Sequence, residues 1–153
     1  RARITSVALL AADGRPLSRV EGGEQVRLRV EAVARDELAS PVVGFFLKDS
    51  LGQHLFGTNT YLSGRGPRPP AAAGQHLRAE FAFRMPWLPV GKYSFDVALA
   101  DGTHAEHVQA AWVFDGLVIE SITSSVATGL VGLPYHSVTL VSGDADGSGT
   151  RSS

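Results

Sequence analysis

The residues best suited to chemistry in this sequence are a few histidines and carboxylates, and their spacing argues against a metal site. His104 and His107 stand three residues apart in a segment that alternates like a strand, and such positions point to opposite faces of a sheet. Two imidazoles on opposite faces cannot ligate one ion without distortion. Asp144 and Asp146 lack the third acidic ligand and the distal Glu of a calcium loop. We therefore expect no metal and no cofactor.

A catalytic pair of carboxylates is equally poorly supported. Asp96 and Glu106 are the acidic residues best placed for a polar sheet face. A glycosidase needs such a pair at a defined separation, and nothing in the sequence fixes one. The chain also has no Cys and no nucleotide or metal motif. The sequence therefore predicts a protein that is not an enzyme.

Composition describes a single globular domain and narrows its partners. The chain has 153 residues, of which 44% are hydrophobic and 19% charged, enough for one real core. A net charge of −1 without any block of Lys or Arg argues against nucleic acid or a membrane surface as partner. No apolar run approaches the roughly 20 residues that a membrane helix needs. The chain begins with Arg1 rather than Met, and we expect a segment of a longer polypeptide.

The elements that must position any site are β-strands. Alternating or β-rich apolar runs are separated by Gly, Pro and Asp turn signals, and no segment keeps a 3.6-residue period. Strands are predicted over residues 3–11, 26–32, 42–47, 53–58, 75–85, 93–99, 104–114 and 117–122. The fold class is all-β, an immunoglobulin-like or jelly-roll sandwich of two antiparallel sheets. Residues 1–140 form this sandwich, and residues 141–153 a Gly/Ser/Asp-rich linker or disordered tail.

Large aromatic residues supply the expected core. Phe81, Phe95 and Trp112 each belong to an alternating apolar set, which predicts burial between the sheets. Trp87 lies in the irregular segment MPWLP, where it could cap the core or serve as a flat platform for a sugar ring. Both interpretations stay open for Trp87.

The predicted sheets leave two polar surfaces. Phe45 and Phe46 are adjacent, so one of them must be relatively exposed in a hairpin with one wet face. On the other sheet, charged residues alternate with the apolar ones, which fits a solvated face of mixed sign or a site for an acidic sugar. These charged residues are Arg27, Arg29, Arg78, Glu80 and Arg84.

Four segments resemble one protein family. The pattern VVGFFLKDSLGQHLFGTNT resembles the "V.GF.l.d..G..lfGtNT" signature of the C-terminal, polysaccharide-binding domain of the ATP-binding subunit of O-antigen ABC transporters. The opening ITSVALLAADGRPLSRVEGGEQVRLRVEA, the stretch MPWLPVGKYSFDVALADG, and the later AAWVFDGLVIE and GLVGLPYHSV also resemble that family, in the same order. The match spans residues 3–140. The closing segment lacks a Trp often found there, and a Gly/Ser/Asp tail follows it.

This resemblance implies a non-catalytic carbohydrate-binding module. Its partner would be a bacterial O-antigen polysaccharide, bound at its non-reducing end for export or chain assembly. The module would act in the cytoplasm, at the inner face of the inner membrane, joined to an ATP-binding domain. Two alternatives stay open. The module could be an accessory domain fused to a glycosyltransferase or other polysaccharide-assembly enzyme, or a structural domain that dimerises by exchanging C-terminal strands, which residues 117–122 could supply.

The ligand site is predicted on one sheet face. In an immunoglobulin-like arrangement the hairpin strands over 42–47 and 53–58 share a sheet with the strands over 93–99 and 104–114. Short polar side chains and exposed aromatic rings on that face would form a shallow groove for sugars. The outward positions, and hence the predicted ligand-binding residues, are Phe46, Lys48, His54, Ser94, Asp96, His107 and Gln109.

Overall fold

The computed structural model describes residues 1–60, 70–103, 106–122 and 135–143. Within these ranges the chain forms nine strands and no helix. The strands are Ala2–Ala11 (β1), Arg19–Val20 (β2), Gln25–Ala34 (β3), Pro41–Asp49 (β4), His54–Asn59 (β5), His76–Arg84 (β6), Gly91–Thr103 (β7), Glu106–Ser121 (β8) and Tyr135–Gly143 (β9). This part of the chain therefore holds no helix of the length and hydropathy needed to cross a membrane.

The strands make two sheets, which confirms the all-β sandwich. One sheet has four strands in the order β1-β3-β6-β9, and the other has five in the order β2-β8-β7-β4-β5. All pairings are antiparallel except the short contact of β2 with β8. The predicted grouping of the hairpin β4–β5 with β7 and β8 is correct.

Alternating side chains from both sheets fill the space between them. On β3, Val26, Leu28 and Val30 are buried, while the residues between them face outward. Phe45 of β4 lies at the centre, with its ring centroid 4.9 Å from Phe81 and 5.7 Å from Phe95. Edge-to-face rings at such distances add to the energy of apolar burial. The core prediction for Phe81 and Phe95 is confirmed.

Strand β8 departs from the prediction in two ways. It is one strand, whereas the sequence suggested separate strands over 104–114 and 117–122. The register shifts opposite Asp96, and there Asp115 takes a positive φ of 53°, so a bulge replaces the expected break. A second shift leaves Ala110 without a partner in the ladder. This extra residue reverses the alternation, and Trp112 faces outward instead of into the core as predicted.

The described residues cover only part of the predicted C-terminal region. Residues 117–122 pair within their own chain, with β7 and β2. Strand β9 pairs with β6 and ends at Gly143. The rest of the predicted tail lies outside the described residues, as do the metal candidates His104, Asp144 and Asp146.

Candidate functional site

A row of small residues crosses the outer face of the five-stranded sheet. Residues directly opposite each other in an antiparallel sheet project to the same face, and the register pairs Asn59 with Gly44, Gly44 with Ala98, and Ala98 with Trp112. The two middle positions carry no side chain beyond a methyl group. The row is therefore a trough that crosses four strands, with an amide at one end and an indole at the other.

The neighbouring rows raise the walls of this trough. Phe46 and Asp96 pair with each other on one side, and Val42 and Ala100 pair on the other. The resulting groove has a volume of about 380 Å³ and is also lined by Gly57. That volume falls in the lower part of the range of small-ligand sites, roughly 300 to 1,000 Å³. The groove can hold a small polar ligand against a largely apolar floor.

Phe46 forms the aromatic wall above the hairpin. Its side chain is 41% exposed, whereas that of Phe45 is 1% exposed, which confirms that one of the two rings faces solvent. The Phe46 ring stacks on His54, with centroids 4.7 Å apart and planes at 12°. A Cβ at Gly57 would stand 2.6 Å from Phe46 Cδ1. The ring lies flat in the groove because this strand position is a glycine.

Trp112 forms the opposite end of the groove. Its ring centroid lies 5.3 Å from that of Phe114, so the two rings form a tilted pair on β8. The indole Nε1 of Trp112 is buried and has no hydrogen-bond partner among the described residues. A buried donor without a partner is uncommon and costs stability. Trp112 lines the groove, but solvent does not reach its Nε1, so a ligand oxygen could accept this hydrogen bond only after the indole turns toward the groove.

A charged cluster adjoins the groove at the bulge. Lys48 Nζ lies 3.0 Å from Asp96 Oδ1 and 3.0 Å from Asp115 Oδ1, and the backbone N–H of Asp115 donates to Asp96 Oδ1 at 2.8 Å. Lys48 Nζ also lies 5.7 Å from the ring centroid of Phe114. These contacts fix the bulged segment of β8 to β4 and β7.

The same contacts shift two pKa values. The hydrogen bonds that Lys48 donates to Asp115 and then to Asp96 raise the pKa of Lys48 above its ordinary value. The hydrogen bond with Lys48, followed by one with Ser94, lowers the pKa of Asp115. Both groups are therefore charged at neutral pH. Asp96 is only 2% exposed, so its carboxylate is part of the wall and not a free surface group.

The structure brings most of the predicted ligand residues to this face. Phe46 and Asp96 line the groove. Lys48 pairs with both His54 and Ser94 in the next row. Exposed Gln109 pairs with Ala100 at the far side. The backbone of His107 pairs with Gly102, but its side chain lies outside the described part of the structure.

Sequence reasoning missed the central row itself. Gly44 and Gly57 interrupt two strands that otherwise favour large residues, and a glycine inside a strand often marks a close approach of a ligand or another chain segment. That signal was available. No sequence signal predicts the outward position of Trp112, because that position depends on the unpaired Ala110.

Trp87 lies apart from the groove. Its indole covers a turn of two glycines, since a Cβ at Gly22 would stand 2.7 Å from Trp87 Cδ1 and one at Gly23 would stand 2.9 Å from Cζ2. Half of the side chain, 48%, stays exposed. Of the two interpretations left open, this packing favours a cap over a sugar platform.

The charged face of the four-stranded sheet is internally paired. Arg29 Nε lies 2.8 Å from Glu80 Oε2, and Arg78 Nη2 lies 2.8 Å from Glu31 Oε1. Arg84 donates to the carbonyl of Gly23 at 2.8 Å. These pairs favour a solvated face of mixed sign over a site for an acidic sugar. Among the described residues, no group of three or more His, Cys, Asp or Glu could hold a metal ion.

Comparison with known proteins gives one family. The model of the Wzt C-terminal domain matches residues 1–133. A solved structure, described as the crystal structure of the C-terminal domain of Wzt, is similar with a TM-score of 0.71. That similarity covers 99% of this chain and 84% of the other at 19% identity, and it concerns the fold alone. No curated protein matches the chain.

Proposed function

The chain belongs to the Wzt C-terminal domain family, and from that premise we propose that it is a non-catalytic module that binds an O-antigen polysaccharide. The family is the C-terminal domain of the ATP-binding subunit of an O-antigen ABC transporter. The bound glycan lies in the groove across the outer face of the five-stranded sheet. The domain acts in the cytoplasm beside the ATP-binding domain of its parent polypeptide, and its preferred epitope is the non-reducing end of the glycan.

The observation that carries this proposal is the groove of small residues that Phe46 and Trp112 also line. Sugar rings present hydroxyl groups at their edges and C–H groups on their faces. Gly44 and Ala98 leave a flat apolar floor against which the C–H face of a sugar ring can pack. The N–H of Trp112 can donate to a sugar oxygen once the indole turns toward the groove. Phe46 adds an exposed aromatic wall of the kind that packs against apolar sugar faces.

Isothermal titration of the chain with O-polysaccharide purified from the source bacterium tests the proposal. We expect saturable binding that an unrelated neutral polysaccharide such as dextran does not compete away. Absence of binding heat at millimolar sugar concentrations, or equal displacement by dextran, would contradict the proposal. The domain joined to the module in its parent polypeptide distinguishes the two contexts: an ATP-binding domain marks a transporter subunit, and a glycosyltransferase domain marks a polysaccharide-assembly enzyme.

Dimerisation is a second proposal, and it rests on apolar residues of β8 that adjoin the groove. Three apolar side chains on or beside β8 are exposed: Phe114 at 67%, Val118 at 53% and Ile122 at 46%. Exposed apolar groups clustered on one strand are typical of contact surfaces. Light scattering should give the mass of a dimer for the wild type and the mass of a monomer for Val118→Ser. A wild-type chain that is monomeric at high concentration would contradict this proposal without affecting the groove.

A further inference from the structure

Within the described residues, the charge around the groove is negative. Asp96 and Asp115 contribute two carboxylates against the single ammonium of Lys48, which lies 3.0 Å from an oxygen of each. Lys48 is therefore already neutralised by the protein. A ligand that enters the groove meets Asp96, an acidic residue of its lining whose Oδ1 lies 3.0 Å from Lys48 Nζ.

Other cations of the described residues are paired or distant. Arg1, whose N-terminal ammonium lies 3.4 Å from the carbonyl oxygen of Ala110, has its guanidinium 3.3 Å from Asp101 Oδ2. Lys92 is on the same face of β7, but it is six residues from Ala98, a distance of about 20 Å along a strand. It stands opposite Glu120, which also lies 3.7 Å from Arg19. The arginine-rich face belongs to the other sheet, where Arg29 and Arg78 are paired with glutamates.

The floor of the groove adds a second constraint. Gly44, Gly57, Ala98 and Ala100 line it together with apolar Val42. None of these side chains can solvate an anion, and transfer of an unpaired charge to such a surface is costly. An anionic group would therefore lose water and face the Asp96 carboxylate at the same time, and like charges placed together in an interface suppress binding.

We infer that the groove selects uncharged sugars and rejects those that carry a carboxylate or a phosphate. The inference rests on the proposed function and specifies its ligand class. The donor of Trp112 suits a hydroxyl, ring or acyl oxygen. Selection against anions follows from the Asp96 wall and the apolar floor. The alternative ligand class considered from the sequence, an acidic sugar on the arginine-rich face, is not part of this site.

Nuclear magnetic resonance of the two tryptophan indoles tests the inference directly. The chain contains two Trp residues, so a ¹⁵N-labelled sample gives two indole N–H signals, and Trp87→Phe identifies that of Trp112. The probes are matched methyl glycosides: glucoside with glucuronide, galactoside with galacturonide, and mannoside with mannuronide, plus the neutral 6-deoxy sugars rhamnoside and fucoside. We expect at least one neutral glycoside to shift the indole N–H signal of Trp112. The uronate matched to that glycoside should bind at least tenfold more weakly. The indole signal of Trp87 should not shift.

The outcomes separate the inference from the function on which it rests. A uronate that shifts Trp112 as readily as its neutral partner would overturn charge selection and leave glycan binding standing. Failure of every glycoside to move Trp112 would overturn both, and it would count first against the proposed function.

A variant checks the electrostatic origin of the selection. Asp115→Asn removes one negative charge at an exposed position, and Asn tolerates the positive φ found there. We expect the ratio of the affinity for a neutral glycoside to the affinity for its uronate to fall severalfold in this variant. The other resonances of the variant should be unchanged, which shows that it is folded. An unchanged affinity ratio in that folded variant would show that charge does not cause the selection against uronates.

Discussion

Trp112 and Ala98 face each other across β8 and β7, and this pairing turns the largest side chain of β8 out of the core and into the groove. Because Ala98 carries only a methyl group, the space above it stays open and forms part of the groove. The arrangement depends on Ala110, which has no partner in the ladder. With regular alternation from exposed Gln109, Trp112 would point inward, so a one-residue irregularity creates the candidate site.

Trp112→Phe should weaken glycan binding with little change in stability. The substitution removes a donor that has no partner among the residues that the structure describes, so the free energy of unfolding should change by less than about 1 kcal/mol. Loss of a hydrogen bond to the ligand should weaken binding by about 0.5 to 1.5 kcal/mol. Calorimetric titration and urea denaturation measure the two quantities.

Trp87→Phe is the matched control for that experiment, because Trp87 covers a turn outside the groove. It should leave glycan affinity unchanged. The true core residue Phe95 gives the scale for stability, since Phe95→Ala should cost about 3 to 5 kcal/mol. A loss of that size for Trp112→Phe would show that the indole is a core group after all.

Ala98→Leu should block the groove without unfolding the domain. The added side chain would fill the trough between Gly44 and Trp112, while its outward position keeps it clear of the core. We expect affinity to fall more than tenfold and the free energy of unfolding to change by less than about 1 kcal/mol. Ala82→Leu, on the outward face of the other sheet opposite Arg27, is the control and should bind normally. Equal binding by both variants would exclude the trough.

Gly57→Ala should disturb both stability and binding. An added Cβ would overlap the carbonyl oxygen of Phe45 and stand 2.6 Å from Phe46 Cδ1. Relief of this overlap must move the backbone or the ring, at a cost of about 1 to 3 kcal/mol. Gly44→Ala is milder, because its closest contact would be Asn59 Cβ at 3.0 Å. Thermal melts in which Gly57→Ala is the more stable of the two would contradict this account.

The Lys48–Asp115 contact should stabilise the fold over a wide but bounded pH range. The pKa of Asp115 is lowered in the folded state, so its contribution is present above the unfolded pKa and is lost as pH falls through the folded pKa, below about pH 4. The pKa of Lys48 is raised, so its contribution is present below the unfolded pKa and is lost as pH rises through the folded pKa, above about pH 10.

Urea denaturation of the wild type and Asp115→Asn measures this contribution. The wild type should be the more stable at pH 7, and the difference should shrink at pH 3. Since Asp115 is an exposed partner, added salt should also reduce the difference. A difference that is constant from pH 3 to pH 7 would mean that the pair does not contribute through its charges.

Much of the sandwich could be predicted because its alternation is strong. The buried Val26, Leu28 and Val30 of β3 follow a strict period of two. The same pattern on β4 places Phe46 on the exposed face and Phe45 in the core, as the structure has them. What alternation cannot reveal is a bulge, because an extra residue leaves no mark on composition. The two irregularities of β8, at Ala110 and near Asp115, therefore produced the false break within β8 and the error in the orientation of Trp112. Strands β2 and β9 were not predicted.

The chemistry of the site was also only partly accessible from sequence. Asp96 was placed on the correct face, but as an open polar group, whereas it is buried and bound by Lys48 and the Asp115 N–H. Asp115 comes from a bulge 19 residues along the chain from Asp96. Contacts of this kind depend on register between strands, and no local pattern specifies them.

The central claim is that the glycan binds the outer face of the five-stranded sheet and not the arginine-rich face of the other sheet. The most direct test is titration of the O-polysaccharide into Trp112→Ala and Arg29→Ala, each shown to be folded by circular dichroism. Arg29→Ala removes the closer partner of Glu80 and should lose about 1 to 3 kcal/mol of stability while binding at full affinity. Trp112→Ala should bind at least tenfold more weakly. Full affinity in Trp112→Ala together with lost affinity in Arg29→Ala would place the site on the opposite sheet and contradict the account.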